Sequence, residues 1–95
     1  MADEFEWDPA KAAANYKKHG VRFEHAVLAF EDAFALVELD DSQDYGEERF
    51  LLTGSTVGGI LVVVYTERGE RIRIISAREA TEHERRNYYS AAEES

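Results

Sequence analysis

Between residues 49 and 76 the chain offers three β-compatible segments, 49–55, 60–67 and 70–76, separated by Gly58-Gly59 and Arg68-Gly69. Connections this short cannot cross over a sheet, so consecutive segments must pair antiparallel as hairpins. The rest of the chain is left to cover that sheet. Phe5-Glu6-Trp7 alternates apolar and acidic, the pattern of a short edge strand. Asp8-Pro9 starts a helix, with Asp8 as N-cap and Pro9 in the first helical position; residues 10–18 favour helix and Gly20 stops it. Phe23, Ala26, Val27 and Phe30 stand at i, i+3, i+4 and i+7, which predicts a second, amphipathic helix. Residues 33–39 are β-compatible, and 40–48 (DDSQDYGEE) is the clearest turn. Thr81 and Glu84 have the spacing of a capping box, opening a last helix that reaches Tyr89 or Ala92 and then frays.

The predicted order is β-α-α-β-β-β-β-α, an α+β fold. A small antiparallel sheet, four strands plus a short N-terminal one, is packed by two N-terminal helices and a C-terminal helix. The expected core is Trp7, Phe23, Val27, Phe30, Leu36, Leu52, Leu61, Val63, Ile72 and Ile74. At 95 residues one domain, 1–95, accounts for the chain.

The formal charge of -9 argues against a nonspecific nucleic-acid coat or an anionic-membrane binder, both of which need a basic surface. Its placement is more informative. Residues 26–48 hold eight acids and no base, whereas Lys11, Lys17, Lys18 and Arg22 outnumber Glu24 in 9–25. Residues 49–78 are basic too, through Arg49, Arg68, Arg71, Arg73 and Arg78 against Glu67 and Glu70. Two basic stretches are thus embedded in an acidic chain. The sequence has no Cys, which excludes disulfides, thiolate zinc sites and cysteine nucleophiles and fits a reducing cytoplasm. The acidic start, Met1-Ala2-Asp3-Glu4, predicts no signal peptide, and the longest apolar run, 60–65, is too short to span a bilayer.

Lys17-Lys18-His19-Gly20 places cations and an imidazole in the last turn of the first helix. Cations there complement the helix dipole, which is the simplest account of them. The functional account has Lys18 bind phosphate and His19 move a proton. Arg71 and Arg73 alternate with Ile72 and Ile74 and share one sheet face; Arg78 follows just before the last helix. An ordinary solvated face, with pairs such as Arg71 to Glu67, competes with a fork of donors matched to phosphate oxygens. His25 and His83 match no metal spacing and read as structural or solvent-facing, and the acids of 40–48 do not follow an EF-hand pattern. No metal or other cofactor is expected.

Four segments together resemble the BrnT family of bacterial toxins: FEWDPAKAAANYKKHGVRFEHA (5–26), ERFLLTGS (48–55), LVVVYTERGERIRIISAREA (61–80) and TEHERRNYY (81–89). The resemblance implies a RelE/ParE-like fold and the toxin half of a type II toxin–antitoxin module. It further implies a metal-independent endoribonuclease that arrests translation and is neutralised by a BrnA-type antitoxin. Such an antitoxin carries a ribbon-helix-helix domain, so DNA is reached only through it. On this resemblance Lys18 and His19 fall in the KHG motif, and Arg73 and Arg78 in the RIISAR motif. His19 is then the proton-transfer group, and Lys18, Arg73 and Arg78 bind phosphate and stabilise the transition state. Glu84 and Tyr89 are secondary candidates.

The family pattern frequently has basic residues where this chain has Glu79 and Glu82, a Ser where it has Arg22, and a basic residue at Gly59. Acidic residues beside the arginines weaken attraction for a phosphate backbone. This keeps open a noncatalytic module that pairs with the antitoxin without cleaving RNA. A third reading follows the ParE side of the fold, toward DNA gyrase.

Overall fold

The computed structural model describes residues 4–41 and 46–94. The middle of the turn expected at 40–48 therefore lies outside the described residues, as do the first three residues of the acidic N-terminus. The elements are β1 (Glu4–Glu6), α1 (Pro9–His19), α2 (Phe23–Ala26) running into a 3₁₀ turn (Val27–Glu31), β2 (Leu36–Asp40), β3 (Arg49–Thr56), β4 (Gly59–Arg68), β5 (Arg71–Glu79) and α3 (Glu82–Glu93). They form an α+β fold around one five-stranded sheet of order β1-β5-β4-β3-β2. The hairpins make β2 to β5 antiparallel, and β1 adds parallel to β5, with Phe5 opposite Ile72.

The helix signals act as their chemistry predicts. The Asp8 carboxylate accepts from the Ala10 N–H at 2.8 Å, Pro9 follows it, and Gly20 closes α1 in the left-handed conformation at φ 72°. The second helix differs from its prediction. Only four residues are α-helical before the chain tightens into the 3₁₀ turn. A three-residue period aligns Phe23, Ala26 and Ala29, and these three are fully buried. Val27 and Phe30 are only partly buried against the same core. Ala29 lies flat on Gly54 of β3, where a Cβ would come within 2.6 Å of the Ala29 carbonyl oxygen.

Val21, Phe23, Ala26 and Ala29 pack with Leu52, Leu61, Val63, Tyr65, Ile74 and Ala77 on one side of the sheet. Phe5, Trp7 and Phe30 extend this core through edge-to-face contacts: Phe5 with Phe30 at 5.0 Å, Trp7 with Phe23 at 5.8 Å, Phe30 with Tyr65 at 5.0 Å. Leu36, expected in that core, pairs with Thr53 and so falls on the other face. There, with Leu51, Val62, Glu84 and Asn87, it lines a small cavity of about 90 Å³ under α3. The helices thus divide between the two faces, α1 and α2 on one and α3 on the other.

The two tight turns sit one residue away from their predicted places. Thr56 pairs with Gly59, leaving Val57-Gly58 as the turn, and Arg68 pairs with Arg71, leaving Gly69-Glu70. No helix among the described residues is long and apolar enough to cross a membrane.

Candidate functional site

Arg73 and Arg78 are five residues apart, which in an unbroken strand would place them on opposite faces. A bulge in β5 reverses that. Val64 pairs with Ser76, but its neighbour Tyr65 pairs with Ile74, so Ile75 is the extra residue. Ile74 and Ala77 consequently both face the core. Arg71, Arg73 and Arg78 all project from the opposite face, and Arg78 lies within the strand rather than after it. Arg68, opposite Arg71, belongs to the same row.

Each of these guanidinium groups meets a carboxylate. Glu6 of β1 accepts from Arg73 at 2.9 Å and lies 3.6 Å from Arg71 and 3.9 Å from Arg68. Arg71 also stands 3.6 Å from Glu4, whereas the cross-strand Glu67 expected to pair with it is opposite Ile72. The Arg73 hydrogen bond, with the charges of Arg68 and Arg71, holds the Glu6 carboxyl below its ordinary value. Arg78 grips Glu84 of α3 with two parallel bonds, Nη1 to Oε1 at 2.7 Å and Nη2 to Oε2 at 2.9 Å. Glu84 simultaneously completes the capping box, accepting from the Thr81 N–H at 2.8 Å while the Thr81 hydroxyl accepts from the Glu84 N–H at 3.2 Å. The Arg78 bonds lower the Glu84 pKa to about 2, with the Thr81 N–H assisting and partial burial opposing.

A second tie holds α3 farther along. The Tyr88 hydroxyl donates to Asp32, whose carboxylate also accepts from the Ser55 N–H at 2.8 Å and the Phe34 N–H at 3.0 Å. Burial pushes the Asp32 carboxyl up, but these three donors outweigh it and leave it below its ordinary value. Burial and the Asp32 charge push the Tyr88 hydroxyl up to about 12. Tyr89, the secondary candidate, is half exposed and stacks edge-on against Tyr88 at 5.4 Å.

Lys18 and His19 occupy the last turn of α1. Lys18 is exposed and His19 half-buried. Among the described residues no hydrogen bond or ion pair joins either to Arg73 or Arg78. Lys18 and His19 are neighbours at the end of α1, and Arg73 and Arg78 share one face of β5, where separate carboxylates hold them. What fixes the end of α1 is Asn15, which is buried. Its amide donates to the Ala77 carbonyl at 2.8 Å and the Val21 carbonyl at 3.0 Å, and its oxygen accepts from the Ala77 N–H at 3.1 Å. Because β1 covers only Arg71 to Arg73, the outer edge of β5 at Ala77 has no strand neighbour, and the Asn15 amide takes that place.

Beside Gly20 the structure opens a groove of about 400 Å³ whose polar walls are Tyr16, Arg22, His25 and Glu79 and whose apolar floor is Val21 and Leu61. The Arg22 guanidinium lies 4.3 Å above the Tyr16 ring. The Thr56 hydroxyl gives its proton to the Gly59 carbonyl at 2.8 Å, so toward His25 Nε2, 3.1 Å away, it accepts. His25 Nε2 is thereby the donor in this bond, the structural one of the two roles expected for it. Gly58 permits this approach: a Cβ there would come 3.0 Å from Nε2. Glu79 faces this groove rather than Arg78, and Glu82 pairs with Arg86 at 2.9 Å. The sequence reading missed the groove because Tyr16, Arg22, His25 and Glu79 come from four places that only the fold joins. The only signals were Arg22 and Glu79, each standing where the family pattern has another residue.

A family model described as "Ribonuclease toxin, BrnT, of type II toxin-antitoxin system" matches residues 7–84. That span contains α1, the groove residues, all of β5 and Glu84. No curated protein matches the chain.

Proposed function

The chain belongs to the BrnT family of ribonuclease toxins of type II toxin–antitoxin systems, a membership that implies an RNA substrate and an antitoxin partner, and on that premise we propose a metal-independent endoribonuclease that arrests translation. His19 moves the proton, while Lys18, Arg73 and Arg78 bind phosphate and stabilise the charge of the transition state. The observation that carries this reading is the family match, which spans both the KHG and the RIISAR motifs. Supporting it, Arg78 is already held in a two-pronged geometry by Glu84, the arrangement a phosphate would adopt on exchanging with that carboxylate. Lys18 and His19 stand two and one residues before Gly20, which lines the groove.

The partner in this reading is a BrnA-type ribbon-helix-helix antitoxin, through which alone DNA is reached. Its basic segments meet the acidic N-terminus and the acidic stretch 40–48, into which β2 leads. There β2 is a sheet edge whose Val37 and Leu39 are about half exposed, at 53% and 51%. A second reading, a pairing module without cleavage, is favoured by the occupation of Arg73 and Arg78 by Glu6 and Glu84.

Induction of the chain without its antitoxin separates the two. The expected result is growth arrest with RNA decay, cleavage by the purified protein in EDTA, and a loss of about 10²–10⁴-fold for a folded His19→Ala. Full cleavage by His19→Ala removes the proton-transfer assignment. Absence of toxicity and cleavage from a folded wild type leaves the pairing module.

A further inference from the structure

We infer that the groove beside Gly20 is a base-binding subsite for a single unstacked guanine, with Glu79 as the residue that selects it. Its volume of about 400 Å³ is within the roughly 300–1,000 Å³ typical of small-ligand sites. The lining divides as a nucleotide does. Val21 and Leu61 give an apolar floor, and Tyr16 with Arg22 stacked on it gives a flat cationic wall of the kind on which unpaired bases stack.

Glu79 decides which base. An ionised carboxylate only accepts hydrogen bonds, so it matches an edge that presents two adjacent donors. Guanine alone has that edge, in N1–H and the exocyclic N2–H. Adenine and cytosine present a donor beside an acceptor, and uracil a single donor between two carbonyl oxygens that repel a carboxylate. Among the described residues Glu79 has no ion-pair partner, in contrast to Glu6, Glu82 and Glu84. Among the described residues Arg22 makes no ion pair either, although it lines the same groove, so both charges face a ligand there. Lys17, Lys18 and His19 precede Gly20, and the two lysines at this end of α1 favour a phosphate-bearing ligand over a basic peptide.

The inference rests on the ribonuclease reading only for the source of the guanine, so the test begins with free mononucleotides. Titration of the intact chain with the 5′-monophosphates of guanosine, adenosine, cytidine and uridine, followed by NMR or calorimetry, should show the guanosine nucleotide binding at least about tenfold more tightly than the others. Glu79→Gln should reduce that preference to within about twofold. Arg22→Ala should weaken all four. Both side chains are exposed, so the variants fold, as circular dichroism will verify. Equal binding of the four nucleotides, or a guanine preference that survives Glu79→Gln, overturns the inference. So does binding of a basic antitoxin peptide in this groove with no nucleotide binding. If wild type cleaves RNA, cuts should cluster beside guanines and spread to other bases in Glu79→Gln; cleavage without any guanine preference overturns the inference and leaves the ribonuclease reading standing. Selective guanine binding without cleavage does the reverse.

Discussion

On the face of the sheet under α3, Arg68, Arg71, Arg73 and Arg78 each stand within ion-pair distance of a carboxylate, whereas on the side of α1 and α2 Arg22 and Glu79 line one groove without an ion pair among the described residues. The two regions have similar side chains and opposite arrangements. Under α3 the charges join elements: Glu6 ties β1 to β5, and Glu84 ties α3 to β5. In the groove they face open space. A guanidinium matched to a carboxylate contributes to folding and must give up that bond before it binds anything else. An unmatched one needs no such exchange. The contrast shows how a chain of charge -9 leaves cations open: Glu4, Glu6 and Glu84 occupy the arginine row, while Lys17 and Lys18 at the end of α1 make no ion pair among the described residues.

Asn15 connects the two regions, and its removal has the largest expected effect. Asn15→Ala leaves the Ala77 N–H and the Ala77 and Val21 carbonyls without their partner in a buried setting. Stability should fall by about 2–4 kcal/mol in chemical denaturation. Guanine nucleotide binding should fall with it, because the groove walls at Tyr16 and Glu79 belong to the two elements that Asn15 joins. A stability loss below about 0.5 kcal/mol would mean that α1 is held by apolar packing alone.

Next in size is Glu84→Gln, which keeps the oxygen that accepts from Thr81 and deletes the charge that grips Arg78. The expected loss is about 1–3 kcal/mol, between the values for exposed and buried pairs because both side chains are partly exposed. The pH dependence has a definite sign. A carboxyl lowered to about 2 stabilises the fold above its ordinary pKa of 4.5, and that stabilisation is lost as pH falls from there through about 2. Wild type and Glu84→Gln should therefore converge in stability toward pH 2, as a series of denaturation curves would show. Tyr88→Phe tests the other tie on α3, with an expected cost of about 1–2 kcal/mol. Its sign is the reverse: a phenol raised to about 12 stabilises the fold below its ordinary pKa of 10 and loses that contribution between 10 and about 12. The difference between Tyr88→Phe and wild type should shrink across that alkaline window.

These anchors also mark what the sequence made legible. Local chemistry was readable: the Asp8-Pro9 start, the Gly20 stop, the Thr81–Glu84 box and the hairpin order depend on near neighbours and appear where they were expected. The 3₁₀ tightening after Ala26 was not, because it is imposed by the close approach of Ala29 to Gly54. Nor was the bulge at Ile75. Alternation of Arg71 and Arg73 with isoleucines says nothing of Arg78 beyond the bulge, and only the pairing with β4 shows all three on one face. Asn15 stood in the FEWD…N…KHGV pattern without a role, since its partner Ala77 is 62 residues away. For the candidate site, the motifs pointed to the right stretches of chain, but which charges are matched and which are open is a property of tertiary contacts.

The smallest expected effect tests the comparison most directly. Glu6→Gln removes the one carboxylate shared by Arg68, Arg71 and Arg73 while preserving the strand pairing of β1, which runs through backbone bonds. All four side chains keep contact with water, so the melting temperature should hardly move. RNA affinity should instead rise, by about threefold at low salt, with a salt dependence steeper by roughly one released counterion. Such a result places the arginine row on the path of the RNA backbone and makes Glu6 a brake on it. An unchanged affinity and salt slope assigns the row to holding β1 in place and leaves the end of α1 and the groove beside Gly20 as the contact surface for RNA.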